Sequence, residues 1–168
     1  GVSSIEIRKK KDLNTGVDGL ILPGGESTVI GRLLHETGLF KPIKDMIDGG
    51  LPVFGTCAGM IMLADRIVNE PRAYLRSIDI AVRRNAFGRQ LGSFKTSGMF
   101  EGIGEIPMTF IRAPYIETAG ENVRILATVK GRIVAVRRGN ILATAFHPEL
   151  TEDQHVLEYY LGIVSKEI

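Results

Sequence analysis

At 168 residues the chain can build one domain with a sizeable core, without metal or disulfide staples. Hydrophobic residues make up 44% and charged residues 24%, which excludes a disordered or fibrous class. The net charge of +2 and the short basic runs Arg8-Lys9-Lys10-Lys11 and Arg83-Arg84 do not argue for nucleic acid, and no apolar stretch reaches membrane-spanning length.

Ser4-Ile5-Glu6-Ile7-Arg8 alternates as a short strand would. Gly19-Leu20-Ile21-Leu22 is a continuous apolar run ended by Pro23-Gly24-Gly25, as expected of a buried parallel strand entering a loop. Val29, Ile30, Leu33 and Leu34 repeat at helical spacing, with Gly38 as the stop. A second helix is expected from Lys41-Pro42 to Gly49-Gly50, then a strand over 52–55 and a helix over 58–66. The second half reads as strands: 78–82, 108–111, 125–129, 133–136 and 141–146, with Gly131 and Gly139-Asn140 as turns. Thr151-Glu152-Asp153-Gln154 has the spacing of a capping box before a helix carrying Val156, Leu157, Tyr160 and Leu161. The whole is expected to be one α/β domain over 1–168, a mixed sheet flanked by helices.

Gly55-Thr56-Cys57-Ala58-Gly59 stands where a strand gives way to a helix, the layout of a nucleophile elbow with sulfur as the nucleophile. The turn would set the thiol at a helix start, which favours thiolate, and would aim the Ala58 amide at whatever the sulfur attacks. The bland alternative is an inert, buried small residue. Cys57 is the only cysteine, so disulfides and cysteine-rich metal sites within the chain fall away, and a reducing cytoplasmic setting is expected.

A thiol nucleophile needs a base, and the base an orienting group. Of three histidines, His35 and His155 sit on helices and suit surface or boundary roles. His147 ends a strand in His147-Pro148-Glu149, where residues two apart in extended chain share a side, so Glu149 could orient the imidazole. Pro148 cannot join a ladder, so this segment should be leaving the sheet. In Pro23-Gly24-Gly25-Glu26-Ser27 the glycines allow backbone amides to face a ligand, and Gly25 could donate opposite Ala58. A phosphate loop lacks its Walker spacing and lysine here; a plain turn with Ser27 as the helix cap stays open.

Pro-Gly-Gly-Glu-Ser, Gly-Thr-Cys-Ala-Gly and His-Pro-Glu, in this order, resemble the class I (triad) glutamine amidotransferases, whose fold is a flavodoxin-like three-layer α/β/α sandwich. Segments 19–28, 84–90, 110–114 and 146–151 narrow the resemblance to the glutaminase subunits of pyridoxal 5′-phosphate synthase, nearly from end to end. That resemblance implies hydrolysis of L-glutamine to glutamate and ammonia, with ammonia passed to a partner synthase that is a (β/α)8 barrel. It implies Cys57 as nucleophile, His147 as base then acid, Glu149 as orienter, and Gly25 and Ala58 as oxyanion donors. Glu26, Ser27, Arg84, Ile111 and Arg112 would help Gly25 hold glutamine; without the resemblance, Arg84 and Arg112 would read as solvated surface. No cofactor is called for: there is no His-Glu-x-x-His and no cysteine cluster. A γ-glutamyl hydrolase, another triad glutaminase or a non-catalytic partner-binding subunit are the alternatives. The family ordinarily opens with a further strand and helix carrying Leu-Gln-Gly, whereas this sequence opens at Gly1-Val2-Ser3-Ser4, so a truncated N-terminus is expected.

Overall fold

The structure, a computed structural model, describes residues 1–85 and 92–168. It is built on a ten-stranded mixed sheet. The first strand, β1 (Leu20–Leu22), leads into α1 (Ser27–Glu36) and α2 (Phe40–Asp48). Next come β2 (Val53–Thr56), α3 (Ala58–Leu63), β3 (Ala64–Ile67) and β4 (Ile78–Arg83). The second half supplies β5 (Ser93–Phe100), β6 (Gly104–Ile111), β7 (Tyr115–Ala119), β8 (Arg124–Val129), β9 (Arg132–Arg138) and β10 (Ile141–Thr144). The helix α4 (His155–Ser165) follows.

The strand order is β1-β2-β10-β9-β7-β4-β3, with β8 also on β9 and the β5–β6 hairpin attached through β8. Strands β1, β2 and β10 run parallel, and β9 joins β10 antiparallel. Short connections dictate the antiparallel half. Lys130 and Gly131 both take positive φ, 50° and 72°, the backbone that a two-residue hairpin turn needs between Val129 and Arg132.

Helices cover both faces, as the side-chain alternation of β2 makes visible. Gly55 faces Gly59 and Leu63 of α3, while the neighbouring Phe54 packs on Tyr160 of α4 with ring centroids 5.5 Å apart. Every residue of α3 is buried, and Met60, Met62 and Leu63 are wholly inaccessible, so the elbow is backed by the middle of the core. Tyr160 locks α4 down by donating to the carbonyls of Leu20 and Pro52, and its hydroxyl is pushed up to about 12 by burial.

Three local expectations fail, each for a physical reason. Residues 4–8 form no strand: Ile5 is exposed, Glu6 pairs with Arg8, and alternation reports sidedness without supplying a neighbouring strand. The helix expected over 58–66 stops at Leu63, because Ala64–Ile67 pairs with β4 instead. No capping box opens α4: Gln154 is its N-cap without a side-chain bond, and Thr151 donates to the Pro148 carbonyl. Among the described residues no helix is long and apolar enough to cross a membrane.

Candidate active site

Cys57 sits between β2 and α3 with φ 49° and ψ −101°, a conformation that side chains disfavour. Its amide donates to the Thr144 carbonyl at 2.8 Å, tying the thiol to the end of β10. The flanking glycines allow the turn to close: a methyl on Gly59 would overlap the Leu22 carbonyl oxygen and lie 2.8 Å from its carbon.

Three residues after Thr144, His147 is buried, and its amide donates to the Thr109 carbonyl of β6 at 2.8 Å. Its Nδ1 lies 2.7 Å from Glu149 Oε1, so the expected pairing forms. The extended-chain reason for it does not hold, since Glu149 lies in a turn of 3-10 helix, Pro148–Leu150, and reaches Nδ1 from there. The imidazole is pushed up to about 10, first by its hydrogen bond with Cys57, then by that with Glu149, both outweighing burial. Burial works to raise the Glu149 carboxyl, but the His147 bond, a backbone amide and the imidazolium charge together bring it below its ordinary value. At neutral pH the ring is therefore an imidazolium beside the Cys57 sulfur.

A raised histidine stabilises the fold fully below its unfolded value of 6.5, and that contribution is lost as pH rises through about 10. An NMR titration of His147 is expected to show its midpoint near 10. In Cys57→Ala the midpoint should drop, with Glu149 holding it above 6.5; an unmoved midpoint would remove the thiol as the main cause.

The loop after β1 closes over this pair. A methyl on Gly24 would overlap His147 Cε1 and lie 3.1 Å from Nδ1, so Gly24 is the space in which the imidazole sits. The sequence marks Gly24 only for loop flexibility; nothing local connects it to a residue far along the chain. Gly25 takes φ 141°, a region glycine favours. The cap of α1 is Glu26 and not Ser27: its carboxylate accepts from the amides of Thr28 and Val29 at 3.1 and 2.9 Å. Those bonds, led by that of Thr28, lower its pKa, with Arg84 adding to the effect. Ser27 is buried with its hydroxyl unpaired among the described groups.

Arg84 belongs to the same corner. It lies 3.5 Å from Glu26 Oε1 and donates to Thr28 Oγ1 and Tyr74 Oη, so the solvated-surface alternative fails for it. Residues 86–90 of the segment 84–90 lie outside the described residues. On the other side of the thiol, the Ile111 carbonyl oxygen is 4.0 Å from Cys57 Sγ. Arg112 is exposed and holds φ 43°, its amide bonded to the Gly92 carbonyl. The two remaining histidines stay apart: His35 stacks on Phe40, and His155 pairs with Asp153. Among the described residues no cluster of three His, Cys, Asp or Glu side chains could hold a metal ion.

A thiol beside an imidazole that a carboxylate orients can carry out acyl transfer. The model of the SNO glutamine amidotransferase family matches residues 1–166. The chain belongs to the SNO glutamine amidotransferase family. Among its relatives is the pyridoxal 5′-phosphate synthase subunit PdxT of Desulfitobacterium hafniense (strain Y51), 51% identical over 165 residues, which span 98% of this chain and 83% of the relative. The subunit of the same name from Streptococcus pneumoniae (strain CGSP14) is 51% identical over 96% of this chain and 84% of its own. The crystal structure of a glutamine amidotransferase superposes with a TM-score of 0.92 at 43% identity, covering 98% of this chain and 87% of the other. A putative GMP synthase subunit from Thermoplasma acidophilum shares the fold at 22% identity and a TM-score of 0.61, over 94% of this chain and 77% of that one. The mixed α/β architecture is thus that of the glutamine amidotransferases.

Proposed function

We propose that this chain hydrolyses L-glutamine to L-glutamate and ammonia, and hands the ammonia to a synthase subunit that makes pyridoxal 5′-phosphate. Family membership and the two relatives named as subunits of that synthase support the substrate and the partner. The observation that carries the chemistry is geometric: His147 stands beside Cys57 with its Nδ1 2.7 Å from Glu149 Oε1, three residues after the Thr144 carbonyl that holds the cysteine amide.

The Cys57 thiolate attacks the side-chain amide carbon, forming C–S while the carbonyl electrons move onto oxygen. The amides of Gly25 and Ala58 stabilise that oxyanion, each worth on the order of 3 kcal/mol in a water-poor site. The intermediate collapses, C–N breaks, and the His147 imidazolium gives its proton to the departing nitrogen as ammonia. Water then attacks the γ-glutamyl thioester, His147 takes the proton, and C–S breaks to release glutamate and the thiolate. Glu149 keeps the ring turned toward the sulfur throughout.

Arg84 and Arg112 suit the substrate α-carboxylate, and Glu26 its α-ammonium, because a carboxylate oxygen that accepts one amide keeps a lone pair. The buried Ser27 hydroxyl, unpaired among the described residues, and the Ile111 backbone complete the contacts with glutamine. The chain works as one domain over 1–168 around one hydrophobic core, and its place in the cytoplasm is read from its one free thiol.

Glutamate release should be stimulated by the synthase subunit and should stop when iodoacetamide has alkylated Cys57, located by peptide mass. A complex that forms yet releases no glutamate would leave a binding subunit instead. Full activity without the synthase would show that docking does not control the site.

A further inference from the structure

Arg84 is not held by the active-site loop alone. Its Nε lies 2.9 Å from Glu70 Oε1, an ion pair in which the N–H points off the carboxylate, and Nη2 donates to Tyr74 Oη at 3.2 Å. Both partners come from the connection between β3 and β4. That connection is anchored at each end: the Glu70 amide donates to the Ile67 carbonyl, and Leu75 and Ser77 donate to Met62 and Leu63. Leu75 is fully buried. Pro71 restricts Glu70 to extended backbone, so the carboxylate is presented by a stiff segment. Tyr74 is likewise fixed, because its ring fills the space a side chain at Gly31 would take: a methyl there would lie 2.6 Å from Cδ1.

The guanidinium is therefore gripped from both sides, by Glu26 and Thr28 of the α1 cap and by Glu70 and Tyr74 of the connection. Its side chain is only 21% exposed, so it cannot swing freely. An arginine that must meet a planar carboxylate benefits from having its fork fixed beforehand, since less freedom is lost on binding.

We propose that Glu70 and Tyr74 are positioning residues that aim Arg84 at the α-carboxylate of the substrate, and so set selectivity for an α-amino acid over a simple primary amide. This rests on Arg84 contacting glutamine, as proposed above. Neither residue touches the reacting atoms.

The test compares L-glutamine with 4-aminobutanamide, which is glutamine without its α-carboxylate, in the complex with the synthase subunit. Glu70→Gln is expected to raise KM for glutamine about threefold to tenfold, with kcat within about twofold and no change for the analogue. Tyr74→Phe should shift the same ratio less, and Glu70→Gln added to Arg84→Gln should change nothing further. If Arg84→Gln loses discrimination while Glu70→Gln and Tyr74→Phe keep it, the positioning proposal is overturned and the role of Arg84 stands. If Arg84→Gln itself keeps discrimination, the reading of Arg84 fails and the proposal with it. Equal losses on both substrates would show general damage to the site and also overturn it.

Discussion

Replacing Cys57 with alanine is expected to reduce glutamate release to background, a loss of about 10⁶-fold, because removing the nucleophile removes the route and not merely one of its supports. The remaining amides and substrate contacts would still bind glutamine. Glu149→Gln should be milder, about 10²–10⁴-fold, since the imidazole keeps its place but loses the partner that fixes its orientation. The lower end of that range is expected, given that the Glu149 side chain is 47% exposed and water can partly substitute for it. Stability should move the other way at position 57. The backbone at φ 49° is strained for any side chain, so Cys57→Gly should exceed Cys57→Ala in stability by about 1–2 kcal/mol. Steady-state assays paired with urea unfolding check both halves. Equal stability of the glycine and alanine variants would mean that the elbow stores no strain.

Gly59→Ala carries the largest expected stability loss. Alanine is the better helix former by about 1 kcal/mol, so propensity alone predicts a gain. Geometry predicts the opposite, because the added methyl would run into the Leu22 backbone, which cannot rotate away. Separating α3 from β1 would disturb a fully buried helix, and the cost should exceed about 4 kcal/mol, enough to leave little folded protein. Gly162→Ala in α4 is the natural control. There the methyl meets only the Ile168 side chain at 3.2 Å, and Ile168 is exposed and can yield. A gain of up to about 1 kcal/mol is expected at 162. Urea midpoints measured at constant m decide the matter, and a stabilised Gly59→Ala would refute the packing account.

The features that can be read from the sequence are local ones. The elbow shows itself because strand, glycine, cysteine, glycine and helix are consecutive, and His147 meets Glu149 because the two lie close along the chain. Even there the spacing indicates the contact without its cause, which is a 3-10 turn and not a strand. The grip on Arg84 is invisible in the sequence because Thr28 comes from α1 and Glu70 and Tyr74 from the connection between β3 and β4, segments with no shared period. The role of Gly24 is hidden for the same reason, since its neighbour His147 is brought in by β10. Residues 64–67 mislead because nothing in Ala64-Asp65-Arg66-Ile67 marks a stop after the apolar run 60–64, and pairing with β4 decides that the helix ends there. Tyr115–Ala119 lacks a clean alternation, and its place is set by its partners β4 and β9.

The position of β10 has a consequence for how the chain comes into being. Among the described residues it is the last strand in chain order, yet it lies in the interior of the sheet, with β2 on one side and β9 on the other. Until residues 141–144 emerge, both neighbours present open edges, and a nascent chain in that condition is prone to pair with the wrong partner. The same insertion event delivers His147 to Cys57, through the Thr144 carbonyl that receives the cysteine amide. An unfinished chain thus lacks both a closed sheet and a base for its thiol, and the two deficits are made good in one step.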